Sequence, residues 1–128
     1  MKILISSDST CDLSAALREK YNIAIVPLYI EKEGRNYRDG VDIVPQDIFD
    51  YVGSGRGVCR TAAVNTEEYR ERFTAWRESY DAVIHFNISS EMSSCYQNAC
   101  AAAAECDNVY VVDSRNLSTG SGLLVLEA

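Results

Sequence analysis

Short apolar runs alternate along this chain with segments of helical periodicity, and this alternation constrains the fold more than any other feature. The apolar runs have the length of buried β-strands and lie at 2–6, 23–30, 82–88 and 109–113. Strands that alternate with helices are typical of α/β proteins. We therefore predict a mainly parallel sheet flanked by helices, formed by residues 1–128 as one domain. Pro27 indicates that the run 23–30 is an edge strand or ends at this residue.

Helical segments are predicted between the apolar runs. They lie at 13–21, with Asp12 as the cap, at 45–51, after Asn65, at 92–103, and from residue 123 onward. Asn65 with Glu68 resembles a capping box. The polar stretch 31–39 is interpreted as a turn with extended arms. The glycine run 53–57 lacks the spacing of a phosphate-binding loop, so we interpret it as a flexible loop.

Polar residues follow three of the predicted strands, at 8–10, 89–94 and 113–114. Ligands of parallel α/β sheets bind beyond the carboxyl ends of the strands, so we expect these groups to share one edge of the sheet. Four serines, Ser89, Ser90, Ser93 and Ser94, lie where a helix is predicted to begin. Such hydroxyls suit either an anion, such as a carboxylate or phosphate, or simple helix capping.

Charge and composition exclude several classes of partner. A formal net charge of -7 argues against nucleic acid and anionic membranes, because both need a basic surface. No apolar stretch approaches the length of about 18 residues expected of a membrane-spanning helix, and none indicates a signal peptide. The five cysteines show no C-x-x-C spacing and there is one histidine, so we expect no metal or other cofactor and predict a cytoplasmic protein with reduced cysteines.

Catalytic motifs are poorly represented. The sequence contains no G-x-S-x-G elbow and no P-loop, and His85 lies inside a predicted strand, where a core position is favoured over a catalytic one. Asp8, Asp39 and Asp113 could gather around magnesium for phosphotransfer, although Asp after a strand is also a common turn residue. We interpret the chain as a binding protein rather than an enzyme, with the magnesium-dependent phosphotransfer enzyme and a ligand-free scaffold as alternatives.

Six short motifs occur in the order seen in DegV-family proteins, and the chain resembles that family over essentially all of its length. The motifs are Asp8-Ser9-Thr10-Cys11-Asp12-Leu13, Val26-Pro27-Leu28, Tyr37-Arg38-Asp39-Gly40, Thr61, the segment 88–99, and Val112-Asp113-Ser114 followed by Gly120 and Gly122. The resemblance implies a DegV N-terminal-domain-like fold. It also implies a second, lipid-tail-binding α/β domain, so we expect residues 1–128 to be the first half of a longer bacterial protein.

The resemblance further implies a function and a set of site residues. It implies binding of a long-chain fatty acid and its presentation to a separate fatty acid kinase subunit, which makes this a non-catalytic lipid-binding protein. Thr61 and Ser93 match the positions that contact the fatty acid carboxylate. Ser94, Ala62, Ser9 and Asp8 are secondary candidates. The chain departs from the family pattern at Ala62, where Ser is usual, at Ser94, where Gly is usual, and at Cys95, where Thr is usual.

Overall fold

The computed structural model of the chain describes residues 1–128. The strands are β1 (Ile3–Asp8), β2 (Ala24–Val26), β3 (Tyr29–Lys32), β4 (Arg35–Arg38), β5 (Arg60–Ala62), β6 (Ala82–Asn87) and β7 (Val109–Asp113). The helices are α1 (Ala15–Lys20), α2 (Pro45–Gly53), α3 (Thr66–Arg77), α4 (Cys95–Ala103) and α5 (Thr119–Glu127). A short 3-10 turn, Ser9–Cys11, follows β1.

Four of the strands form a parallel sheet in the order β2-β1-β6-β7. The register places Ser6 beside His85 and Asn87 beside Asp113. The two central strands, β1 and β6, are buried along most of their length because helices cover both faces of the sheet. The predicted α/β architecture with a parallel sheet flanked by helices is confirmed.

The predicted strand at 23–30 is in fact two strands that belong to different sheets. Its first part, β2, is an edge strand of the parallel sheet and ends just before Pro27. Its second part, β3, lies in the middle of a three-stranded antiparallel sheet of order β4-β3-β5. The predicted turn between extended arms is confirmed: Glu33 and Gly34 connect β3 to β4, both with φ in the left-handed region, at 54° and 74°. Strand β5 was not predicted, because three residues are too few to show the alternation of polar and apolar side chains that indicates a strand.

The larger hydrophobic core lies between the parallel sheet and the helices α3 and α4. Tyr69 and Phe73 of α3 are fully buried and stack with their ring centroids 5.6 Å apart. The His85 ring of β6 packs edge-on against both rings, at 5.5 Å from each centroid. Small side chains of α4, such as Ala99, let this helix approach closely. A smaller cluster on the opposite face includes Cys11, Ile23, Phe86 and Val125 of α5.

Five predicted helix starts can be compared with the structure. Of these, Pro45 for α2 is confirmed, and residue 123 for the last helix is wrong because α5 begins at Thr119. Asn65 is the cap of α3, and its side chain accepts a hydrogen bond from the Glu68 N–H group. The predicted cap of α1 was wrong: Asp12 has a left-handed φ of 51° and ends the 3-10 turn, whereas Ser14 caps α1. The start of α4 was also predicted too early. Met92 is 58% exposed and lies in the preceding loop, so the apolar stripe overestimated the helix.

Candidate functional site

The loop between β6 and α4 carries Ser93, and the carboxyl ends of the two neighbouring strands hold it in place. Asp8, the last residue of β1, accepts a 2.5 Å hydrogen bond from the Ile88 N–H group. Asp113, the last residue of β7, accepts a 3.1 Å bond from the Ser90 N–H group. The polar groups predicted to share one edge of the sheet therefore meet there, and they meet through carboxylate-to-backbone bonds.

The serines of this loop have different roles. Ser93 is half-buried, and its Oγ atom accepts a 3.2 Å hydrogen bond from the Cys95 N–H group, which leaves the hydroxyl hydrogen free to donate. Ser89 Oγ similarly accepts from the Glu91 N–H group at 3.3 Å. Ser94 is exposed, makes no capping bond, and has a φ of -79° that any residue adopts. The backbone at residue 94 therefore does not require glycine here.

Thr61 lies in β5, directly opposite Ile30 of β3, and is exposed. Ala62, half-buried, is opposite Tyr29. One contact links this part of the chain to the helix that follows Ser93: the Asn98 side chain of α4 donates a 2.9 Å hydrogen bond to the Val64 carbonyl. The strand that carries Thr61 and the loop that carries Ser93 are thus both connected to α4.

The secondary candidates Asp8 and Ser9 are engaged within the protein. The buried Asp8 carboxylate accepts hydrogen bonds from the Thr10 hydroxyl at 2.5 Å and from the Thr10 N–H group at 3.1 Å, in addition to Ile88. Burial raises the pKa of Asp8, and these donors oppose that increase. Ser9 Oγ accepts a 3.0 Å hydrogen bond from the Leu28 N–H group. Both side chains join segments of the fold to one another.

A cleft of about 440 Å³ opens beside the 3-10 turn, between β2 and the segment that leads into α2. Ser9, Arg18 and Asp39 contribute polar groups to its lining. Neither Thr61 nor Ser93 lines it. Of the candidate residues, this cleft therefore contains Ser9 but neither of the two primary ones.

The carboxylates considered for a magnesium site are not gathered. No group of three or more His, Cys, Asp or Glu side chains is placed to hold a metal ion. Asp113 accepts hydrogen bonds from Ser90 and from the Arg115 N–H group, and these bonds lower its pKa. Asp8 is buried at the end of β1, and Asp39 lines the cleft. The geometry thus gives the phosphotransfer alternative no support.

A buried polar group near Ser93 was not recognised in the sequence. Asn87, the last residue of β6, is fully buried and donates a 3.1 Å hydrogen bond to the Tyr69 hydroxyl. The Tyr69 ring itself lies in the core, stacked on Phe73. The sequence did offer one sign of the buried polar group. Asn is depleted within strands, so an Asn at the end of a buried strand could have marked Asn87 as a residue with a special role.

Comparison with known proteins decides the family. The family model described as "Uncharacterised protein, DegV family" matches residues 2–128. The chain belongs to the DegV family. A DegV domain-containing protein from Clostridium perfringens is 38% identical over 99% of this chain and 46% of its own length.

Solved structures of DegV proteins have the same fold. A DegV family protein from Thermus thermophilus, whose structure concerns fatty acid binding, matches with a TM-score of 0.92 and 35% identity, over 99% of this chain and 46% of the other. A stearic acid-binding protein from Eubacterium ventriosum matches with a TM-score of 0.86 and 30% identity, over 96% of this chain and 45% of the other. The chain thus spans slightly less than half the length of these DegV relatives. None of its helices is long and apolar enough to cross a bilayer.

Proposed function

We propose that this DegV chain binds the carboxylate of a long-chain fatty acid, with Thr61 and Ser93 as its hydrogen-bond donors. The observation that carries the proposal is the match over 99% of the chain to the fatty-acid-binding DegV protein from Thermus thermophilus. The chemistry of the two residues supports it. Thr61 is exposed, and Ser93 Oγ already accepts a bond from Cys95 N–H, so its remaining hydrogen can be donated to an anion.

The carboxylate and the acyl tail contribute differently to the binding free energy of a fatty acid. Burying a carboxylate without donors is costly, and each hydrogen bond to a charged group contributes about 1.5–3 kcal/mol. The acyl tail contributes about 0.8 kcal/mol for each buried methylene, so a long tail supplies most of the affinity. We infer that Thr61 and Ser93 fix the direction of the ligand. We further infer that a second domain of the complete protein binds most of the tail, and that residues 1–128 bind lipid weakly by themselves.

We also propose that the bound carboxyl group is presented to a separate fatty acid kinase subunit. The candidate site offers hydroxyl donors but no general base of its own. The one histidine, His85, is buried in the core, and burial lowers its pKa to about 3. Thr61 and Ser94, which follows Ser93 in the chain, are both exposed, which leaves them open to a partner. The phosphoryl transfer therefore takes place with catalytic groups from the kinase.

Lipid extraction from the full-length protein tests the binding proposal. We expect mass spectrometry of the organic extract to show a long-chain fatty acid, and added fatty acid to exchange with it. Recovery of no acyl lipid together with no exchange would contradict fatty acid binding.

Substitution of the two donors tests their role. In a protein carrying Thr61→Val and Ser93→Ala, we expect acyl phosphate formation by a fatty acid kinase subunit to fall at least about tenfold, because the carboxylate loses both hydrogen bonds. Ser79→Ala is the matched control, since Ser79 is exposed and makes no side-chain hydrogen bond. Equal phosphorylation in the double variant and the control would exclude Thr61 and Ser93 as the donors.

A further inference from the structure

Four buried polar side chains form a continuous series beneath the loop that carries Ser93. They are Asp8 at the end of β1, Asn87 at the end of β6, Tyr69 of α3 and Cys95, the first residue of α4. Each of the four has a relative exposure of 0%. Burying a polar group costs free energy unless the group has a hydrogen-bond partner. The contacts of these four side chains therefore decide which parts of the fold they hold together.

Asn87 is the middle of this series. Its Nδ2 atom donates a 3.1 Å hydrogen bond to the Tyr69 hydroxyl and lies 3.4 Å from the Asp8 carboxylate. Cys95 packs in the same buried core cluster as Tyr69. The series therefore runs from the parallel sheet, through α3, to the first turn of α4.

Both ends of the series hold the backbone on either side of Ser93. Asp8 accepts a 2.5 Å bond from the Ile88 N–H group, where the loop begins. Cys95 supplies the N–H group that donates to Ser93 Oγ at 3.2 Å, where the loop ends. A shift of the Cys95 backbone would change both the position of the Ser93 oxygen and the direction in which its hydrogen points.

We propose that Asp8, Asn87, Tyr69 and Cys95 are positioning residues that aim the Ser93 hydroxyl and so set the preference of the site for a carboxylate over a neutral head group. None of the four is proposed to touch the ligand. This inference rests on the proposed function, because it assumes that Ser93 donates to the carboxylate. A series with a purely structural role would change stability when it is broken, but it would not change the choice between head groups.

The test compares two probes with the same tail, stearic acid and stearyl alcohol, on the full-length protein. The measured quantity is the ratio of the two dissociation constants. Tyr69→Phe keeps the buried ring and removes only the hydroxyl that accepts the hydrogen bond from Asn87. We expect this variant to lower the preference for the acid about three- to tenfold, a loss of about 0.7–1.4 kcal/mol, while stearyl alcohol binding changes by less than about twofold.

Tyr80→Phe is the matched control. Tyr80 packs against the same core, and its hydroxyl accepts a 2.9 Å hydrogen bond from Asn22, away from α4. We expect the acid-to-alcohol ratio of this control to equal that of the unmodified protein. An unchanged ratio in Tyr69→Phe, or the same decrease in both variants, would overturn the positioning role.

Substitutions at Cys95 provide the second measurement if Tyr69→Phe does not fold. Cys95→Ser keeps a small polar side chain beside Tyr69 in this buried cluster and should retain the preference for the acid, whereas Cys95→Ala removes the polar group and should lower the preference. Equal ratios in the two Cys95 variants would again overturn the inference. Failure of the proposed function itself is distinguishable, because in that case the unmodified protein would show no preference for stearic acid over stearyl alcohol.

Discussion

The two sheets of this domain place their candidate residues by different physical means. The parallel sheet is covered on both faces, and its central strands end in buried side chains such as Asp8 and Asn87. The antiparallel sheet is mostly exposed, and Thr61 lies on β5, which has three residues and pairs with a single strand. Ser93 is therefore held by a network of buried polar groups, whereas Thr61 is held by strand pairing and by the Asn98–Val64 contact.

Because of this difference, we expect substitutions in one sheet to change stability and substitutions in the other to change binding. Changes beneath the parallel sheet should affect the whole fold, because buried groups lose their partners and their packing together. Changes in the antiparallel sheet should affect ligand or partner binding at the surface and lower the free energy of unfolding by about 1 kcal/mol or less. Four experiments test this comparison.

The largest effect is expected from emptying the core under the parallel sheet. Phe73→Ala should lower the free energy of unfolding by about 3–5 kcal/mol, because it removes a fully buried ring that contacts Tyr69 and His85. Tyr37→Ala in β4 is the control. The Tyr37 ring is half-buried and lies 5.2 Å from Lys32 Nζ, so its loss should cost about 1 kcal/mol. Urea denaturation measures both values, and similar losses would refute the comparison.

The second effect is a pH dependence that arises from His85 in the parallel sheet. Burial lowers the pKa of His85 from 6.5 to about 3, so the unfolded chain binds a proton between these values and the folded protein does not. Stability should be fully present above pH 6.5 and should fall by about 1.4 kcal/mol per pH unit below it.

Urea denaturation between pH 4.5 and 6.5 measures this dependence, and a variant without a titrating side chain at residue 85 isolates the contribution of His85. His85→Gln keeps a polar side chain near Ser6, the hydrogen-bond partner of His85 at 2.7 Å, but cannot titrate in this range. We expect a much flatter dependence in this variant. A slope equal to that of the unmodified protein would assign the effect to other groups.

A third, smaller effect concerns the helix that begins where the chain leaves the antiparallel sheet. Asn65→Ala should lower the free energy of unfolding by about 1 kcal/mol, because the Glu68 N–H group loses its 2.9 Å partner. Ser94→Ala at the start of α4 is the control. Ser94 makes no capping bond, so its loss should cost only a few tenths of a kcal/mol. Thermal denaturation of the two variants measures both losses. Equal losses would contradict the described difference between the two helix starts.

The smallest effect on stability is expected at Thr61. Thr61→Val keeps the β-branched shape and removes only an exposed hydroxyl, so the free energy of unfolding should change by less than about 0.5 kcal/mol. Chemical denaturation checks this value. A loss of more than about 1 kcal/mol would mean that the Thr61 hydroxyl is used inside the fold, and its proposed role as a free donor would be wrong.

The sequence predicted the parallel sheet well and the antiparallel sheet poorly. Buried strands are continuous apolar runs, and they stand out between helices. Strands β4 and β5 are short and mostly exposed, so the polar sequence of β5 gives no periodic signal. The wrong start of α4 has a related cause. Met92 fits the spacing of the helical stripe, but spacing cannot show that the loop bonds to Asp8 and Asp113 keep residues 88–94 out of the helix.

The candidate site could also be predicted only in part from the sequence. The four serines indicated an anion site or helix caps, and the structure shows that Ser89 and Ser93 accept capping-type bonds. The choice of Thr61 and Ser93 came from the family resemblance and stays a prediction. The series from Asp8 to Cys95 could not be predicted, since it depends on how β1 and α3 pack against β6 and the start of α4. Tyr69 also carries no sign in the sequence that its hydroxyl, as well as its ring, has a partner.

The passage of the chain from one sheet to the other at Leu28 determines where this domain tolerates added sequence. Leu28 belongs to no strand, yet its N–H group donates to Ser9 Oγ and its carbonyl accepts a 2.8 Å bond from the Asp39 N–H group. An inserted residue here would shift β3 out of register and break both bonds. Gly34, five residues beyond the strand start at Tyr29, is exposed, and a Cβ added there would meet no atom within 4 Å. A tag or a reporter peptide should therefore be tolerated better at the exposed Gly34 turn than at Leu28.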